Sequence, residues 1–209
     1  GHIYSKLHEN EKTAWYQEAS ARTDHAYMKV FQILPDQVHN YTHNNEWLSK
    51  TFVKLGRVHE AISVAKNMIE IPQHPKYNNV KDSYSSSFLG RRNLIAILSD
   101  HERWEALITL YNQGYFNLPN HPHFQYETLF MIGKAYYYLN QTKEGQVIQK
   151  QLTQLHVNTK SLKERKQISH YLKLLSGYHN ISLKKTEQAF RILQKHAKGI
   201  EKARLLLQN

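Results

Sequence analysis

The 209-residue sequence predicts an all-α chain, a solenoid of about four to five helical hairpins forming a single domain over residues 1–209. Three observations carry this. Apolar residues recur at spacings of three and four, the period of a helix face. Short breaks at Gly, Asn or Pro interrupt those runs. The same two-helix pattern then returns along the chain, and with only 8 Gly, 5 Pro and no alternating β-branched runs a sheet is disfavoured.

The clearest hairpin spans residues 42–75. Leu48, Phe52 and Leu55 form one stripe, and Gly56 follows where a left-handed residue closes a helix without a Cβ penalty. The second helix carries Val58, Ala61, Ile62, Ala65, Met68 and Ile69, and Pro72 and Pro75 end it. Ser49, Ala61 and Ala65 are small where the helices must approach closely.

Upstream, a first hairpin is predicted over 9–35: Glu9–Ala21 paired with Asp24–Leu34, with Trp15 packed inside. Pro35–Tyr41 reads as a linker. Downstream, Lys76–Ser83 is a polar loop and the third hairpin covers 84–114. Phe88, Leu94, Ile95 and Leu98 point inward, Ser99-Asp100 cap the next helix, and Ala106 takes the place of Ala61. Asn117–Pro122 is a proline-bearing loop. In the fourth hairpin, 124–158, Asn140 occupies the left-handed position of Gly56, and Gly145 stands five residues on, as Ala61 does from Gly56. The fifth, 161–207, turns at Gly177–Ser182, and its last turns to Leu207 cap the stack.

Leu48, Ser49, Phe52, Leu55, Gly56, Ala61 and Pro72 resemble the tetratricopeptide repeat, a helix–turn–helix unit of 34 residues. Asn45 stands where that family has a tryptophan. The succession from Pro35 to Tyr111 also resembles divergent tetratricopeptide arrays at the C-terminal ends of some bacterial multidomain proteins, including ones with redoxin-type domains. The resemblance implies a right-handed superhelix whose first helices line a concave groove. It places His43, Glu46, Lys50 and Val53 in that groove, with Ser86, Leu89, Asn93 and Ala96, then Glu127, Phe130, Lys134 and Tyr137. Lys163, Lys166, His170 and Lys173 follow. Lys50, Asn93, Lys134 and Lys173 would form a polar ladder suited to an acidic peptide or terminal carboxylate, with Tyr137 and Tyr138 adding flat contacts.

Composition narrows the function classes. The formal charge is +11, but residues 155–209 hold 12 Lys and Arg against 3 Asp and Glu, so the basic character belongs to the C-terminal quarter. Lys163, Lys166, Lys184, Lys185, Arg191, Lys195 and Lys198 form a basic surface there. It would neutralise an acidic domain or, in an alternative reading, nucleic-acid phosphates. Zero cysteines exclude disulfides and thiol chemistry. No run reaches the ~18 apolar residues of a membrane span. Gly1-His2 reads as a cleavage remnant of a longer protein, so the sequence leaves the location open, with the cytoplasm favoured.

A third reading is a metal-dependent enzyme. His39 and His43 stand at i, i+4, with His121 and His123 in another loop. No HExxH, GxSxG or phosphate-cradling glycine loop is present, and Glu102 and Glu105 read as surface charge. The sequence therefore predicts a protein-binding scaffold with no catalytic role, no cofactor and no metal.

Overall fold

The computed structural model describes residues 1–72, 74, 84–117 and 121–197, apart from the His39 side chain. Pro75, the loop at 76–83, Lys198 and the turns to Leu207 lie outside that set. The described residues are all-helical. The helices are α1 (His2–Lys6), α2 (Asn10–Phe31), α3 (His39–Lys54), α4 (Val58–Glu70) and α5 (Ser86–Asp100), then α6 (Trp104–Asn112), α7 (Pro122–Tyr138), α8 (Thr142–Asn158), α9 (Leu162–Ser182) and α10 (Thr186–His196). A 3-10 turn at Pro35–Gln37 leads into α3. No described helix is long and apolar enough to cross a membrane.

The chain divides into two compact units, residues 1–101 and 102–209. In the first, each helix from α2 to α5 packs on its successor, and α3 also reaches α5. In the second, the same order holds from α6 to α10, and α7 also reaches α9. In each unit, then, one helix packs both on its neighbour and on the next but one.

Four links between consecutive helices share one backbone conformation. Gly56, Glu102, Asn140 and Lys184 are left-handed, at φ of 73°, 54°, 58° and 58°. The residue after each, Arg57, Arg103, Gln141 and Lys185, adopts φ between −81° and −89° and ψ between 59° and 67°. Three of these residues donate their amide to the carbonyl five back (Arg57 to Phe52, Gln141 to Tyr136, Lys185 to Asn180), each at 2.9 Å. This bond satisfies a carbonyl that the helix end would otherwise leave open.

The common link corrects three sequence expectations. Ser99 and Asp100 belong to the end of α5, and Arg103, with no side-chain cap bond, precedes α6. Counting from the link, Leu107 and not Ala106 is the counterpart of Ala61: Leu107 is fully buried and Ala106 exposed. α9 runs unbroken through Gly177, and the turn comes only at Leu183–Lys185. Gly177 serves close packing instead, since a Cβ there would come within 2.5 Å of Leu193 Cγ.

The N-terminal hairpin is also corrected. Residues 10–31 form one continuous helix, because Ala21-Arg22-Thr23 contains no breaker, and Gln32 at φ 52° ends it. Its buried residues are Thr13, Ala14, Gln17 and Met28, a stripe that mixes polar with apolar groups, and polar residues of α2 bond to α3. Thr51 donates to Gln17 at 3.0 Å, and Asn44 donates to Ser20 and Asp24 at 2.8 and 3.0 Å. Trp15 therefore faces outward, 58% exposed, edge-on to Tyr16.

At the α3–α4 crossing the small residues do bring the backbones together. Ser49, Ala61 and Ala65 are fully buried, and the Ser49 hydroxyl donates to the Ala61 carbonyl at 3.1 Å.

Candidate functional site

The link register tests the expected ladder. Six residues before each left-handed position stand Lys50, Ala96, Lys134 and Tyr178. Asn93 and Lys173 are out of step with Lys50 and Lys134, because the third and fifth turns fall later than the sequence reading placed them.

Lys50 is half-exposed and pairs with Glu46 one turn away on α3. Asn93 is buried, its amide 3.5 Å from the Glu46 carbonyl, and so belongs to the α3–α5 contact. Tyr137 is 1% exposed and donates to Gln149 Oε1 at 2.7 Å. Burial pushes its phenol up to about 12, and it is a core residue rather than a groove side chain.

Lys134 is also buried. Its Nζ lies 5.0, 5.7 and 5.9 Å from the ring centres of Tyr178, Trp104 and Tyr138, and Trp104 stacks on Tyr138 at 5.0 Å. An ammonium over three ring faces is held by their quadrupoles, worth roughly 0.5–2 kcal/mol for such a contact. Phe130 and Tyr171 stack beside this group at 4.5 Å. The aromatic side chains of α7 and α9 thus pack on one another.

Lys163, Lys166, Lys184, Lys185, Arg191 and Lys195 are all exposed, but they do not form one patch. Lys166 and Lys184 are separated along α9 by about 27 Å at ~1.5 Å per residue. Lys184 and Lys185 sit on the α9–α10 link, and Arg191 lies 3.7 Å from Glu187.

Lys166 and Lys173 do come together. With Arg165, Ser169 and His170 of α9 and His156 of α8, they line a cleft of about 310 Å³. Residues 165, 166, 169 and 173 share a helical face, which is why they converge. No carboxylate is among the described residues that line the cleft. His196 of α10 stands beside it, its ring 6.5 Å from that of His170. Burial first, then the charges of Lys173, Lys195 and His170, hold its imidazole below the usual range.

Arg165 and His156 were not singled out from sequence, although the α9 spacing would have shown Arg165. His156 comes from another helix, and no local signal could supply it.

Of the expected histidines, the side chain of His39 lies outside the described residues. His43 Nε2 lies 3.2 Å from His2 Nε2, and both rings pack near Trp47. His123 pairs with Glu127 at 3.5 Å. Among the described residues no three His, Cys, Asp or Glu side chains gather as a metal site.

Compared with known protein families, with curated proteins and with solved structures, the chain matches none.

Proposed function

We propose that this chain is a tetratricopeptide-like solenoid acting as a protein-interaction module. Its partner contributes an acidic segment, docked on the α8–α9 cleft of the second unit. The repeated link conformation, and the packing of α3 on α5 in the first unit and of α7 on α9 in the second, support the repeat reading. The observation that carries the binding reading is the cleft itself. Arg165, Lys166 and Lys173 converge there with His156 and His170, and no described lining residue carries negative charge. Cationic donors in a concavity bind a carboxylate with charge-assisted hydrogen bonds, and Arg165 can do so bidentately.

A nucleic-acid backbone would need the basic residues in a continuous track. Their separation along α9, the stacking of Phe130 on Tyr171 and the burial of Tyr178 favour a short acidic segment over a strand of phosphates and stacked bases.

The test is fluorescence anisotropy with a labelled Asp/Glu-rich peptide, against wild type and the K166E/K173E double variant. The expected result is saturable binding that weakens with salt and falls at least tenfold in the variant, while K50E binds as wild type does. Equal binding by wild type and K166E/K173E would remove the cleft from the account. Tighter binding of a generic oligonucleotide than of the peptide would replace the partner class.

A further inference from the structure

A larger cavity, about 660 Å³, opens elsewhere in the second unit, and its chemistry is unlike that of the basic cleft. Its walls come from the end of α6, the turn at 113–117, the first turns of α7 and the last turns of α8. Six carboxamides line it: Asn112, Asn117, Gln125, Gln151, Gln154 and Asn158. The described lining residues include no formally charged side chain. In a chain of +11 that is a local departure from the whole.

The carboxamides are uncommitted. Among the described residues, the one side-chain hydrogen bond that any of the six makes is the long contact from Gln154 to Asn158, 3.4 Å. Tyr111, Phe116, Leu129 and Leu155 supply apolar surface between them. Burial raises the Tyr111 phenol, so it stays neutral. Thr128 gives an independent indication. It is 4% exposed on the cavity wall, and its buried hydroxyl has no hydrogen-bond partner. Native proteins rarely leave a buried hydroxyl unpaired. Threonine in a helix has two χ1 wells, so one side-chain rotation would offer that hydroxyl to a bound molecule.

We propose that this cavity is a binding site for an uncharged polyhydroxylated ligand, a mono- or oligosaccharide. Each carboxamide carries a donor and an acceptor, the combination that a sugar hydroxyl presents in return. Tyr111, half-buried on the wall, offers aromatic surface for the C–H face of a pyranose ring. A charged ligand would find no counter-ion among the described walls, and its desolvation would go uncompensated. The volume falls within the ~300–1,000 Å³ of small-molecule sites. Four converging segments suit a compact ligand better than an extended peptide strand.

The experiment is ligand-observed NMR on the full chain with a panel of neutral mono- and disaccharides, followed by calorimetry on any hit. Glucuronate and glucosamine serve as charged counterparts, and an uncharged Asn/Gln-rich peptide as the competing class. At least one neutral sugar is expected to bind at concentrations up to about 10 mM, tighter than its charged counterparts. Gln151→Ala/Gln154→Ala, both at exposed positions, should weaken it at least tenfold. T128V should weaken it while leaving Tm unchanged or raised, because its hydroxyl has no partner to lose. No sugar bound at that concentration, binding that survives all three changes, or binding of the peptide alone would each overturn the proposal. K166E/K173E should leave sugar binding intact, which separates this site from the acidic-segment cleft.

Discussion

Gly145→Ala probes the α7–α8 crossing, where a helix-favouring substitution should nonetheless destabilise. In an open helix, alanine for glycine gains about 1 kcal/mol. Here a Cβ at 145 would stand 2.4, 2.7 and 2.9 Å from Cε1, Cδ1 and Cζ of Tyr137. Comfortable carbon contacts lie near ~3.5–4.0 Å, so ring or helix must move by about 1 Å. Tyr137 has no free space to move into, being 1% exposed and bonded to Gln149 at 2.7 Å. Overpacking costs ~1–3 kcal/mol, and losing the phenol's bond costs about 1 kcal/mol more. After the propensity gain the net loss is about 1–3 kcal/mol. Urea unfolding followed by circular dichroism should show the midpoint fall by roughly 1 M with an unchanged slope. Adding Tyr137→Leu should return part of the loss, giving a coupling above about 0.5 kcal/mol in a double-mutant cycle. A Gly145→Ala variant as stable as wild type, or more so, would refute the close crossing.

Other predictions address the links and the buried phenols. Glu102→Gly should stabilise by about 0.5–1 kcal/mol, since a side chain at φ 54° carries left-handed strain that glycine lacks; a loss of stability would contradict the shared link. Asn140→Ala should cost about 1 kcal/mol by the same argument, and an unchanged urea midpoint would count against it. Burial, in each case the largest cause, holds the phenols of Tyr126, Tyr137 and Tyr171 up to about 12. A tyrosine of the unfolded chain loses its proton near ~10. The stability that follows from these raised values is complete below about pH 10 and is lost as the pH rises towards about 12. Phenolate absorbance should show a late-titrating group that coincides with unfolding. If all 14 tyrosines titrate together near 10 in the folded protein, these rings are not buried as described.

The helical class and the hairpin at 42–75 were legible because strong local signals agree there. Apolar spacing, a glycine link and small residues at the crossing all point the same way. Asn140 was readable for the same reason, as asparagine tolerates the left-handed conformation. Glu102 and Lys184 were not, because the fold imposes that conformation on residues with no intrinsic preference for it. Missing those two links shifted the register by several residues and put Asn93 and Lys173 into a ladder to which they do not belong. Trp15 misled through its size: the side of α2 that packs is marked by Thr13 and Gln17, and the partner of Gln17, Thr51 on α3, cannot be inferred from spacing. The cleft was half visible, since Lys166 and Lys173 share a helical face while His156 arrives from another helix. The carboxamide cavity left no sequence signal, because its walls come from four segments brought together only by folding.

The most direct test of the proposed function is to map where an acidic peptide lands. Amide resonances of the labelled protein would be followed as an Asp/Glu-rich peptide is titrated in at low salt. The largest shifts should fall on Arg165, Lys166, Ser169, His170 and Lys173, with His156 moving at the same peptide concentration and α3 unperturbed. Shifts centred on Lys50 and the rest of α3, or none beyond those that added salt alone produces, would contradict docking at the α8–α9 cleft.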